Sequence, residues 1–267
     1  MISKTRIASH VAGSVILAFM VLPILAVLPA SFENASYIKL PPDTFSLRWY
    51  RVFLADPEWW QSLITSGKVA VLATVISLFL GTTAALGMQR VSPPARAVLT
   101  GLVISPLVVP VIMTAIALYY VMRPLGLHGT MLGLALGHTL LALPFVVVNV
   151  GISLRGVDAN CLRAAEGLGA APLRVFRTVT LPLILPGLAG GGAFAFVASF
   201  DEVVVSIFLA GVQAKTLPVK MWETIRVEFT PVTAVASTIL IAVTLVLFIS
   251  VKWASSAART RRVAHVD

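Results

Sequence analysis

The sequence predicts an all-α, polytopic membrane protein with six transmembrane helices joined by short polar segments. Of its 267 residues, 58% are hydrophobic and 12% are charged, against about 25% charged in an average soluble domain. Six apolar runs approach the roughly 20 residues needed to cross a hydrocarbon layer about 30 Å thick. The 20 Lys and Arg residues fall singly between those runs, the larger share on the segments that alternate to one side, which marks that side as cytoplasmic. The formal charge of +9 is therefore an orientation signal in a lipid bilayer and not a nucleic-acid surface. Cys161 is the only cysteine, which excludes an internal disulfide and a cysteine-based metal site. The four histidines, His10, His128, His138 and His265, show no ligand spacing.

Residues 1–10, with Lys4 and Arg6, form a short basic cytoplasmic N-terminus ahead of the transmembrane region, 11–254. The first span, about Val11 to Ala30, is longer than the apolar core of a signal peptide and is expected to stay uncleaved. An outer segment from Ser31 to Ser62 carries Trp49, Tyr50, Trp59 and Trp60, the residues of an aromatic belt at headgroup level. The second span runs from about Val69 to Met88, with Lys68 able to snorkel at its outer end. After a basic inner turn, a third span from about Val98 to Val121 contains Pro106 and Pro110, which predict a kink. The fourth, about Met131 to Val150, contains His138, which reads as an interhelical hydrogen-bonding residue. The fifth, about Pro186 to Gly211, opens on Gly190-Gly191-Gly192, small enough for close helix approach. Val212 to Thr230 returns outside, and a sixth span from Pro231 to about Trp253 leads into a basic cytoplasmic tail, 255–267.

Two stretches stand out. Between the fourth and fifth spans, residues 158–182 are basic and amphipathic, with Arg155, Arg163, Arg174 and Arg177 placing them in the cytoplasm. Ala159 to Leu168 predicts a short helix whose small face, Ala164 and Ala165, admits a close neighbour, and Gly169 is its natural C′ residue. Pro172 starts a second helix, Leu173 to Val179, which Leu181-Pro182 is expected to end. In the fifth span lie Asp201 and Glu202, with Asp201 about 22 Å along a helix counted from Pro186. An Asp at the bilayer centre costs on the order of 2.5–3.5 kcal/mol. The pair is therefore expected to face a polar cavity or a base such as Lys68 or Lys215, either in a cation pathway or as an ion pair locking helices. No nucleophile–base pair or metal cluster is evident within the spans, so no catalytic or metal residue is expected.

Ala164-Ala165, Gly169 after three residues, then Val179 and Leu181-Pro182 resemble the coupling motif of bacterial ATP-binding-cassette (ABC) importer permeases, whose pattern is Glu-Ala-Ala, three residues, Gly, about nine residues, Ile-x-Leu-Pro. Arg163 stands at the acidic position, followed by Glu166 within the helix, and Val179 replaces Ile. The string Ser199-Phe200-Asp201-Glu202-Val203-Val204-Val205-Ser206 is similar to a signature of the second permease in spermidine and putrescine importers. Phe45 to Tyr50, Lys215 to Pro218, Ile225-Arg226 and Thr230-Pro231 continue that similarity. The resemblance implies the type I permease fold, with Arg163, Ala164, Ala165, Glu166, Gly169, Val179, Leu181 and Pro182 coupling to an ATPase and Asp201 and Glu202 on the substrate path. It also implies a second permease subunit, two ATPase subunits that bind ATP with Mg, a periplasmic solute-binding protein, and a multi-pass inner-membrane location with both termini cytoplasmic. The chain has no phosphate-cradling Gly-x-x-x-x-Gly-Lys-Ser/Thr loop, so it is not expected to bind nucleotide. The implied cargo is a polyamine or related cationic small molecule. An amino-acid derivative, a metal or an anion, or an ion-coupled secondary transporter, are the alternatives.

Overall fold

A computed structural model describes residues 4–211, 214–228 and 230–263, with side chains from 9 to 254 apart from 212–213 and 229. The basic side chains expected at both cytoplasmic termini lie outside the described set. Among these residues, twelve α-helices follow in chain order: α1 Lys4–Ala30, α2 Arg48–Ala55, α3 Pro57–Met88, α4 Pro93–Val108, α5 Val111–Met122, α6 Met131–Arg155, α7 Ala159–Gly167, α8 Pro172–Val175, α9 Leu181–Phe200, α10 Val204–Leu209, α11 Leu217–Val227 and α12 Pro231–Val263, with a π-helical turn, Phe176–Thr180, joining α8 to α9. Among the described residues the only β pairing is an isolated Glu33–Phe45 bridge.

Among the described residues, five segments are long and apolar enough to cross a membrane as single helices: Ser9–Ala30, Pro57–Met88, Met131–Arg155, Pro172–Phe200 and Pro231–Ala254. The sixth is a pair, α4 and α5, bent by 100°. The sequence anticipates one kinked third span and the structure breaks it. Pro106 stays inside α4, but Pro110 pushes Val109 to extended geometry (φ −67°, ψ 134°), so α4 stops there and α5 restarts.

The chain divides into two compact units. The first comprises Met1–Gln61 and Lys220–Ala242. Here three of the four belt aromatics are tied into the fold. The Trp49 Nε1–H donates to the Ala35 carbonyl (3.0 Å), Tyr50 Oη meets Ser31 Oγ (2.8 Å), and buried Trp59 packs on Phe53 and beneath Lys220, which pairs with Glu58. Trp60 alone stays exposed, as a belt residue would. Glu33, 1% exposed, holds the outer loop by accepting the amides of Asn34, Ala35 and Asp43.

The second unit comprises Ser62–Val219 and Val243–Asp267. Its axis is α6, against which α9 packs through bare backbone. A Cβ on Gly191 would lie 3.0 Å from the Val146 Cα, and one on Gly187 would lie 2.7 Å from the Asn149 carbonyl oxygen. α3 meets α6 in the same way, through Gly81 against Val146. One apolar cluster joins Val69, Leu134, Ala135, Val205 and Leu209, and another joins Ala85, Val146, Val150, Ile184 and Ala195. Helices that meet through small residues gain van der Waals contact that a bilayer cannot itself supply.

Candidate functional site

The elbow after α6 follows from its local chemistry. Asp158 caps α7 by accepting the Asn160 amide (2.8 Å). At the other end Gly169 adopts φ 78°, with its amide on the Glu166 carbonyl (2.9 Å) and that of Ala170 on the Ala165 carbonyl (3.2 Å). That pair of bonds is a Schellman termination, and the left-handed residue in it costs a non-glycine about 1–2 kcal/mol. The chain restarts at Pro172, the first residue of α8.

The expected stop at Leu181-Pro182 is absent. The Leu181 amide reaches back to the Phe176 carbonyl, five residues away, and this widened turn carries the helix past Pro182 into α9. Proline has no amide for an ordinary helical bond and its ring crowds the carbonyl four residues back, so a π turn is the local way through. The second half of the elbow and the fifth span are thus one continuous helical rod from Pro172 to Phe200.

What the elbow presents is exposed. Arg163, Ala164, Glu166, Gly169, Arg174 and Arg177 face outward, with Ala165, Val179, Leu181 and Pro182 half-buried. Leu168 is 88% exposed and Leu173 is also bare. Arg163 donates to Asn160 Oδ1 (2.8 Å), a bond within α7. Two exposed leucines and three exposed arginines thus lie within fifteen residues of one elbow.

The second site is where the fifth span breaks. Asp201 and Glu202 are not inside one helix, as the sequence suggests, but in the joint between α9 and α10. Their environments differ sharply. Glu202 accepts the amide of Val204 on Oε1 and that of Ser206 on Oε2, each at 3.0 Å, so it caps α10. The Val204 amide would otherwise have continued the α9 ladder to Phe200, so the same contact helps end α9. The base beside Glu202 is His138, its Nε2 3.7 Å from Oε2. Asp201 is the C-terminal cap of α9, and its residue is exposed. A carboxylate there adds to the negative end of the helix dipole.

His138 is a residue the sequence marks only as interhelical, and it bonds to both sides of the break through Ser199 and Ser206. Near the break, an open hollow of about 600 Å³ is lined by Ile116, Tyr119 and Tyr120 of α5, Ile207 and Phe208 of α10, and His128. The sequence reading assigns these residues no role, because aromatic and aliphatic side chains in a membrane helix are indistinguishable from lipid-facing ones by pattern alone.

Residues 77–261 match the family described as binding-protein-dependent transport system inner membrane component. The chain belongs to this family. Among curated proteins it is 30% identical over 235 residues, 88% of this chain and 89% of the relative, to the spermidine/putrescine transport system permease protein PotC of Escherichia coli (strain K12). It is 31% identical over 241 residues, 87% and 85% of the two chains, to the putrescine transport system permease protein PotI of the same organism. Among solved structures it superposes on a chain of a bacterial ABC transporter involved in import of the acidic polysaccharide alginate, with TM-score 0.68, 17% identity and coverage of 94% and 96%. The chain is thus the permease component of an ABC importer, a multi-pass membrane protein that leaves ATP hydrolysis to separate ATPase subunits.

Proposed function

We propose that this permease carries a polyamine or a related cationic small molecule into the cytoplasm by alternating access. It does so with a second permease subunit, two ATPase subunits that bind ATP with Mg, and a periplasmic solute-binding protein. The observation that carries the reading is Asp201. It is an exposed carboxylate at a break in a membrane-crossing helix, beside a helix C-terminus whose carbonyls also favour positive charge, in a chain whose relatives include polyamine permeases. The broken helix supplies carbonyls and a carboxylate where an unbroken one offers only a side chain. Glu202 supports that arrangement from behind as the cap of α10.

Residues 11–254 form the transmembrane permease domain, and 158–182 its coupling elbow, in the bacterial inner membrane with both termini cytoplasmic. Closure of the ATPase pair moves α7 and α8, and the continuous rod through Leu181 and Pro182 passes that movement to the break. Populations of inward- and outward-open forms shift accordingly.

Transport assays with radiolabelled putrescine and spermidine test the cargo and the site together. Asp201→Asn is expected to raise the half-saturating concentration about tenfold or more, equivalent to about 1.4 kcal/mol, with the complex still assembled. Glu202→Gln retains an acceptor for one amide and is expected to act mainly through stability. Normal polyamine uptake by Asp201→Asn removes the carboxylate from the pathway. For the elbow, Ala165→Glu is expected to abolish binding-protein-stimulated ATP hydrolysis while the permease reaches the membrane in normal amount, and unchanged coupling rejects the assignment.

A further inference from the structure

The joint in the fifth span is held from outside by one imidazole. His138 lies on α6 and is 1% exposed. Its Nδ1 is 2.8 Å from the hydroxyl of Ser199, in the last turn of α9, and its Nε2 is 2.9 Å from the hydroxyl of Ser206, in the first turn of α10. The Ser206 hydroxyl donates its proton to the Glu202 carbonyl (3.0 Å), so it can only accept from the ring. This assigns the ring proton to Nε2 and leaves Nδ1 to accept from Ser199. The same Nε2–H is turned toward Glu202 Oε2 at 3.7 Å.

The neighbouring positions on α6 make this reach possible. A Cβ on Gly137 would lie 2.6 Å from Leu209 Cδ1 and 3.1 Å from Val205 Cγ1, so α10 rests on α6 where α6 has no side chain. The far end of α10 is tied separately, by the Gly129 amide to the Leu209 carbonyl (2.9 Å). A helix of 6 residues has no stability of its own. Its near end depends on Glu202 and on this ring. A buried imidazole and two buried serines are costly unless all are paired. They are paired at one angle between α9 and α10, so the network selects that angle where a leucine would only fill space.

We propose that His138 is a positioning residue for transport: it fixes the angle of the α9–α10 joint and thereby the placement of Asp201 between its two serine partners. The clamp stands on the geometry alone, and only its consequence for cargo rests on the reading of Asp201 given above.

The test uses the assembled transporter in lipid nanodiscs, with hydrogen exchange followed on peptides covering residues 201–209 and putrescine uptake measured in proteoliposomes. His138→Leu is expected to speed exchange in that segment about tenfold, the effect of one or two lost buried hydrogen bonds, while α6 exchange and the yield of complex stay as in the parent. Maximal uptake falls with it. His138→Gln, which keeps a donor and an acceptor, restores most of both. Should His138→Leu fail to assemble, Ser206→Ala removes one arm of the clamp with little change in volume and is expected to give the same local rise. Unchanged exchange across 201–209, or identical behaviour of the Leu and Gln variants, overturns the proposal. Asp201→Asn separates the two ideas. Normal transport by that variant alongside raised exchange in His138→Leu discards the cargo role of Asp201 and keeps the clamp. Impaired transport by Asp201→Asn with unchanged exchange in His138→Leu does the reverse.

Discussion

Glu33 and Glu202 each hold backbone amides on both carboxylate oxygens, and each replaces a hydrogen-bonding pattern that regular structure would have supplied. Glu33 is the one outside the membrane. The Ala35 amide, foremost, and those of Asn34 and Asp43 draw its carboxyl below the ordinary value of 4.5, against an opposing push from burial and from the Asp43 charge. Because the folded pKa is the lower one, this stabilisation is complete above the unfolded pKa and is lost as pH falls through the folded value. Proteolysis of the 31–47 loop, timed as a function of pH, is expected to quicken in the parent as the pH falls through the lowered pKa of Glu33. In Glu33→Gln, which keeps one acceptor without a titrating group, cleavage is expected to be faster throughout and flat with pH. A parent loop whose cleavage rate ignores acidification refutes the role. The sequence gives no hint of Glu33, because amides donated from residues 1, 2 and 10 positions onward leave no periodic trace. It does single out Asp201 and Glu202, through the cost of charge in an apolar run, but cannot separate them. That separation needed the break, since the free amides at the start of α10 are what Glu202 accepts and Asp201 does not.

Elements were legible where periodicity and punctuation agree, and misread where proline acts in context. Spans one, four and six emerge close to their expected bounds, the second ends at Met88 as expected but begins at Pro57 and not Val69, and Gly169 ends α7 as its position demands. Proline gave three different outcomes that residue identity alone cannot rank. Pro106 and Pro144 sit inside helices, Pro110 starts a new one after a 100° turn, and Pro182 is carried by a π turn. The deciding factor is whether neighbours can take up the freed carbonyl, which is a tertiary property. Close helix approach was foreseen at Gly190 to Gly192, of which Gly192 faces Leu78 of α3, but the tightest glycine of α9 against α6 lies a turn earlier. A Cβ on Gly187 meets Ser153 Oγ at 2.4 Å and the Asn149 carbonyl oxygen at 2.7 Å, and that carbonyl belongs to a helix backbone that cannot step aside. Gly187→Ala is therefore expected to destabilise the purified permease by about 1–3 kcal/mol, seen as a lower midpoint in thermal unfolding. Gly151→Ala is the control, since nothing lies within 4 Å of its Cβ position on α6. There alanine is expected to be neutral or stabilising by up to about 1 kcal/mol. Equal midpoints for the two variants contradict the close-contact account.

On the function proposed above, the molecule as a whole transmits movement from the elbow to the α9–α10 joint, and its orientation decides whether that transmission can work. Lysine and arginine bias predicts the elbow inside, where the proposed ATPase subunits would cover exposed Leu168 and Leu173. The chain supplies its own reporter, because Cys161 is its sole cysteine and lies exposed on α7, two residues before Arg163. A membrane-impermeant maleimide is expected to leave intact spheroplasts unlabelled and to modify Cys161 in inverted vesicles stripped of ATPase subunits. Adding those subunits back is expected to slow labelling about tenfold or more, because a docked surface withholds the thiol from reagent. ATP with Mg then alters that protection only if the elbow moves with the nucleotide state. Labelling of spheroplasts places the elbow on the wrong side for an ATP-driven push. Inverted vesicles in which ATPase subunits bind without protecting Cys161 move the contact to another part of the elbow. Leu173, beyond the Gly169 turn and equally bare, is then the position at which to introduce the next cysteine.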